Sequence, residues 1–274
     1  MKKTEMRNPK TTHIDKMDTV SMLSVINEEN FNAVRAVEAV LPTIALAIDA
    51  ITERMAQGGR LIYIGCGTSG RLAVQDAAEC PPTYGVSYDL VRAIIAGGTS
   101  AMTRASEGAE DSGEMGIIDF LALTPNKNDT LVGISASGGA AYVNSALQKA
   151  RDIGCLTVGI TSNAGSGITD IVDYAIVTDT GAEVVTGSTR MKAGTAQKLV
   201  LNMLSTCTMI KSGKVYENLM VNLKPTNVKL RHRMITIVMD ITGVGEKEAE
   251  RLLEEHDWSI PLAAEAQKAG RKKK

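Results

Sequence analysis

Five short apolar runs, rich in β-branched residues, constrain this chain more than any other feature. They lie at residues 60–64, 90–96, 130–134, 156–160 and 174–177. Each is continuously apolar rather than alternating, the pattern of a strand buried on both faces. Helical periodicity fills most of the gaps, as at 142–153 and 192–210, where Ala196, Leu199, Val200, Met203, Leu204 and Cys207 form one apolar stripe. Strand–helix alternation of this kind predicts an α/β fold with a doubly wound, parallel five-stranded sheet and right-handed crossovers. Ligands in such sheets bind at the carboxyl ends of the strands.

The flanks read differently. Residues 1–58 begin polar and then turn helical, with Val34, Val37, Leu41, Ile44, Ile48 and Ile51 at helical spacing. Pro42 kinks that stretch or divides it into two helices. Residues 59–228 hold the sheet, and 229–274 form a small helical unit. There Gly243-Val244-Gly245 breaks the pattern, a helix follows over 246–255, and Ile260-Pro261 opens another.

Charge and cysteine usage narrow the function classes. With 30 basic and 31 acidic residues interspersed, the chain has no electrostatic footprint for nucleic acid or membrane. The single basic run, 271–274, reads as a solvated tail. Cys66, Cys80, Cys155 and Cys207 are widely spaced, with no CxxC pair and no histidine nearby, so a metal site is not expected. Reduced thiols suit a cytoplasmic protein. The N-terminus lacks the apolar core of a signal peptide, and no apolar window of about 18 residues reads as a membrane span.

Hydroxyl and glycine residues cluster where the strands end. Gly65-Cys66-Gly67-Thr68-Ser69-Gly70 has the spacing of a dinucleotide loop, but the second strand ends in Ile95-Ala96-Gly97-Gly98 without the ribose-binding carboxylate. Gly67, Thr68 and Ser69 suit a phosphate monoester instead, with helix-start N–H groups as added donors. A glycine turn with capping hydroxyls explains this loop equally well taken alone. Ser135, Ser137 and Gly138 follow the third strand, and Ser188, Thr189 and Lys192 open the long helix, with Arg190 beside them. Three such loops on one sheet edge point to an anion site. Thr161–Ser166 reads as a plain connection.

Two acidic clusters complete the candidates. Glu79 is placed at a helix end, because Pro81 and Pro82 follow it and a helix rarely continues through them. A carboxylate there opposes the helix dipole and invites a functional explanation. Glu107, Glu110 and Asp111 surround Gly108 in the second cluster. Local physics leaves both clusters as ordinary acidic runs.

The runs GGRLIYIGCGTSGRLAVQDAAECPPTYG, IAGG, EGAED and TGSTRMKAGTAQKLVLNMLST resemble the N-acetylmuramic acid 6-phosphate etherases, which are sugar-isomerase-type (SIS) domain proteins. The likeness extends to KVYENLMVNLKPTNVKL and covers nearly the whole chain; the glucokinase regulatory protein shares part of it. The resemblance implies an α-β-α SIS sandwich with a C-terminal bundle like ubiquitin-associated domains. It implies a homodimer, a phosphorylated amino sugar as substrate, and no cofactor. The activity implied is cleavage of the lactyl ether to N-acetylglucosamine 6-phosphate and D-lactate. By motif, Glu79 would be the general acid and Glu110 its acid/base partner.

One departure stands out. The family usually carries Arg-Thr-Pro before the tyrosine, where this chain has Gly139-Ala140-Ala141 before Tyr142. A threonine hydroxyl is thereby missing at Ala140. That change mildly favours a non-catalytic phosphosugar regulator as a rival, and the intact Glu79 and Glu110 disfavour it. An aldose–ketose isomerase of the same fold would lack ECPPT and EGAED, and a nicotinamide enzyme would need the missing ribose carboxylate.

Overall fold

A computed structural model describes residues 2–106, 108–225 and 227–271. Glu107 of the second acidic cluster and most of the basic tail, 272–274, lie outside the described residues. The chain divides into two compact units: Met1–Ala77 with Asp89–Thr208, and Ala78–Tyr88 with Met209–Lys274. The second unit takes in a piece of the sheet region's first crossover, 78–88.

In the first unit, strands β1 (Leu61–Gly65), β2 (Val91–Ile95), β3 (Thr130–Ile134), β4 (Leu156–Thr161) and β5 (Tyr174–Val177) form one sheet in the order β2-β1-β3-β4-β5. All four pairings are parallel. Side chains alternate across it, as strand geometry requires. Ile62 and Ile64 pack with Phe120, Val143 and Leu147, from helices α4 (Gly113–Leu121) and α5 (Ala141–Ile153). Tyr63 points the other way and donates to Asp76 of helix α3 (Gly67–Tyr84) at 3.0 Å. Both faces are covered, which is why the strands read as unbroken apolar runs.

Helices α1 (Thr19–Glu38) and α2 (Leu41–Ala56) precede the sheet, and Pro42 sits in the first turn of α2, where its missing N–H has no intrahelical partner to lose. Helix α6 (Lys192–Lys211) closes the first unit's sequence at Thr208, and its last residues belong to the second. The second unit gathers a two-stranded ribbon, β6 (Val215–Tyr216) with β7 (Leu219–Met220), and helices α7 (Val228–Thr242), α8 (Glu246–Glu255) and α9 (Ile260–Arg271). Met234, Val238, Leu252, Leu253, Ile260 and Ala263 form its core.

One expectation is overturned. Helix α3 does not stop at Glu79 but continues through Pro81 and Pro82 to Tyr84. Proline's fixed φ is itself helical, so two in a last turn do not end the helix, although each gives up its donor and crowds the carbonyl four residues back. The last turn is held by the Gly85 N–H donating to the Pro81 carbonyl at 2.9 Å, with Gly85 at φ 65° ending the helix. Glu79 therefore lies more than a turn before the helix end, and the dipole argument for its function lapses.

Candidate functional site

The sheet order places a topological switch between β1 and β3. From β1 the chain turns toward β2, and from β3 it turns toward β4, so the two loops part and leave a crevice at the strands' carboxyl ends. A cavity of about 500 Å³ opens there. Its wall includes Cys66, Gly67, Thr68 and Ser69 after β1, Ala96 after β2, and Ser135, Ser137 and Ala140 after β3. Gly187, Thr189, Ser106 and Glu110 close it from other loops.

The turn after β1 is tight enough to demand its glycines. A Cβ on Gly70 would stand 2.6 Å from the Gly65 carbonyl oxygen, and one on Gly65 would stand 2.8 Å from the Gly70 nitrogen. That close approach starts α3 at the strand's very end, aiming the helix N-terminus at the cavity. Ser69 is anchored by donating to Gln197 Oε1 on α6 at 3.0 Å. After β3, the Gly138 N–H donates to the Ser135 carbonyl at 2.9 Å, and the Gly139 N–H to Ser137 Oγ at 3.3 Å. Ser137 thus accepts from the backbone and keeps its own proton for a ligand.

Of the residues singled out from sequence, Gly67, Thr68, Ser69, Ser135, Ser137, Thr189 and Glu110 meet at this cavity. Gly138 and Ser188 are not among its lining residues; Gly138 is buried against Ser166 and shapes the turn. Lys192 is put to another use. It is 1% exposed, and its ammonium is bound to Glu29 at 2.5 Å and to the Ala182 carbonyl at 2.6 Å. Burial pushes the Glu29 carboxyl up, but hydrogen bonds from Lys192, Asn8 and Lys10 outweigh it and hold the group below the usual range. Glu183 accepts the Lys192 and Ala193 N–H groups at 3.1 and 2.9 Å, capping α6, and burial raises its pKa. Glu79 is exposed on the part of α3 that belongs to the second unit.

Sequence reasoning passed over three contributors. Arg71 lines the cavity and braces the 99–106 loop, donating to the Met102 and Arg104 carbonyls at 3.1 and 3.2 Å. Its place inside GTSGR was the available signal. Cys66 also lines the wall, and burial followed by the charges of Glu110 and Asp111 pushes its thiol up to about 12, far from a reactive thiolate. Glu5 enters from the N-terminal segment, where no periodicity announced it.

Comparison with known proteins places this arrangement. A model of the glucokinase regulatory protein N-terminal SIS domain matches residues 43–151, and a SIS domain model matches 98–206. A phosphoheptose isomerase from Francisella tularensis shares the fold, with a TM-score of 0.52 at 20% identity over 70% of this chain and 98% of that one. The N-acetylmuramic acid 6-phosphate etherase of Clostridium botulinum (strain Loch Maree / Type A3) is 54% identical over 95% of this chain and 86% of its own length. That of Caldanaerobacter subterraneus subsp. tengcongensis is 53% identical over 95% and 85%. At that identity and coverage, the chain belongs to the N-acetylmuramic acid 6-phosphate etherase family.

Proposed function

We infer that this chain is a carbon–oxygen lyase that cleaves the D-lactyl ether of N-acetylmuramic acid 6-phosphate, yielding N-acetylglucosamine 6-phosphate and D-lactate in amino sugar recycling. The observation that carries this reading is the 54% identity to a named etherase across 95% of the chain. The cavity supports it with hydroxyl donors on two adjacent strand ends and a carboxylate, Glu110, on the same wall. Ring opening exposes the C1 aldehyde and acidifies the C2 proton. A base removes that proton while an acid protonates the departing C3 ether oxygen. Water then adds across the unsaturated aldehyde, returning a proton to C2 and a hydroxyl to C3. One carboxyl must be ionised and the other protonated for the first step.

Glu110 is our candidate for one of these roles, and Glu79, carried over by motif, for the general acid. Thr68, Ser69, Ser135, Ser137 and Thr189 are the candidate phosphate and sugar contacts. We place the enzyme in the cytoplasm as a homodimer in which the partner copy brings Glu79 to the cavity. Supporting a second copy, Val20, Leu23, Phe31 and Val34 lie on one side of α1 and are 73, 61, 55 and 54% exposed. All four cysteines are free, and no helix among the described residues is long and apolar enough to cross a membrane.

Incubation with N-acetylmuramic acid 6-phosphate should release D-lactate, and Glu110→Gln should lower kcat by about 10²–10⁴-fold with the protein still folded. Binding without lactate would make the chain a phosphosugar regulator instead. Mixing inactive Glu79→Gln and Glu110→Gln preparations tests the shared site. Random exchange of subunits restores about a quarter of wild-type activity if each site takes one carboxylate from each copy. No recovery after verified exchange rejects that assembly.

A further inference from the structure

The described N-terminus is a strap fastened along the first unit, and its fastening is specific. Thr4 is 1% exposed, and Asn163 Nδ2 donates to its hydroxyl at 3.1 Å. Further along, Asn8 Nδ2 donates to the Ala182 carbonyl at 3.2 Å, and Thr11 Oγ1 to the Val184 carbonyl at 2.8 Å. Anchored on both sides, Glu5 lines the cavity beside Gly187 and Thr189. Its Oε2 is 3.5 Å from where a Cβ on Gly187 would stand. Among the described residues, the one hydrogen-bonding neighbour of its carboxylate is Thr4, at 3.4 Å.

We propose that Glu5 is a specificity-determining residue that accepts a hydrogen bond from an uncharged O–H or N–H donor of the bound sugar, at the end remote from the phosphate. The proposal rests on the phosphosugar reading of the cavity. A carboxylate repels a phosphate, so the two must occupy different parts of the wall. The anion has its own donors elsewhere: Thr68 and the first backbone N–H groups of α3, and Ser135 and Ser137 before α5. The strap also brings a cation to that side. A Cβ on Gly139 would lie 2.6 Å from Lys2 Nζ, so the glycine makes room for the ammonium beside the Ser137 turn. Lys2 and Glu5 thus distribute charge along the strap in the sense a phosphorylated sugar requires. Glu5 is exposed, so an analogue lacking that donor leaves its carboxylate to water and forfeits one charge-assisted hydrogen bond.

Calorimetric titration of the full chain with N-acetylglucosamine 6-phosphate and with inorganic phosphate tests this, using Glu5→Gln and Glu5→Ala. We expect the sugar phosphate to bind about tenfold more weakly to both variants, the loss of one hydrogen bond to a charged group. Inorganic phosphate should bind within about twofold of wild type, because it never reaches Glu5. Unchanged sugar phosphate affinity overturns the proposal. So does parallel weakening of both ligands, which marks a structural role for the strap, and so does tighter phosphate binding, which marks a carboxylate facing the anion. A wild type that binds N-acetylglucosamine 6-phosphate but releases no D-lactate refutes the etherase reading and leaves this comparison intact. A wild type that binds no sugar phosphate refutes both.

Discussion

The loop after β3 offers Ser135, Ser137 and two glycines, and the end of β4 with its loop offers Thr161, Ser162, Asn163, Ser166 and a glycine. Their compositions are close and their strands are neighbours, yet their hydroxyl protons go to different places. Thr161 Oγ1 and Asn163 Nδ2 both donate to the Ala136 carbonyl, at 3.2 and 2.9 Å, and Ser166 Oγ donates to the Asn163 carbonyl at 2.7 Å. Those donors are used up inside the protein, so the β4 loop frames the β3 loop. Ser137 accepts from backbone instead and faces the cavity. Binding capacity in such loops is set by where the donors point, which composition does not record.

The same division separates Thr189, on the cavity wall, from Lys192, three residues on and buried with Glu29. Lys192→Met should give the largest effect on this frame, about 3 kcal/mol of lost stability, since it takes from Glu29 its buried cation and leaves only the half-exposed Lys10 beside it. Chemical denaturation at pH 7 checks it. The gap should narrow on acidification. Wild-type Glu29 keeps its proton off until low pH, whereas the variant's carboxyl takes one up earlier and stops being penalised. A variant as stable as wild type would return Lys192 to the list of free site cations.

A middle-sized effect tests the two loops directly. Asn163→Ala removes one anchor shared by the β3 loop and the N-terminal strap, and should cost about 1–3 kcal/mol of stability. Ser137→Ala should leave stability within about 0.5 kcal/mol. Its loss should appear in substrate binding, as a KM raised by about 2–10-fold, the worth of one ordinary hydrogen bond. Equal effects of the two substitutions on stability would break the distinction between frame and site.

Much of the frame was legible because period and punctuation are local. The strands of 130–134 and 174–177, the break near Pro42 and the helix over 246–255 all follow from a few adjacent residues. The prolines of α3 misled because the rule against them concerns helix interiors, and only the Gly85 bond shows that this stretch is a last turn. Lys192 and Glu5 were illegible for a different reason. Glu29 lies 163 residues before Lys192, and Glu5 reaches the cavity through the contact of Thr4 with Asn163. Such pairings leave no periodic trace. Glu79 and Glu110 became candidates for catalysis through family motifs, not through local physics.

The smallest effect comes from restoring the hydroxyl that Ala140 lacks. Ala140 lines the cavity and is also the N-cap of α5, with φ −63°, ψ 115° and no side-chain cap. A threonine there has two uses that do not compete: its oxygen can accept a free N–H of the first helical turn, and its proton can be donated to a ligand. Capping should add about 1 kcal/mol, or about 2–4 °C in Tm for a chain of this size. The donated proton should lower KM by about 2–10-fold. The residue is only 8% exposed and packs in the core cluster, so the added methyl must find room beside its neighbours. Measuring both quantities separates the cases. A higher Tm with unchanged KM makes position 140 part of the frame, like the β4 loop. A lower KM makes it part of the site, and the alanine then marks affinity this chain has given up.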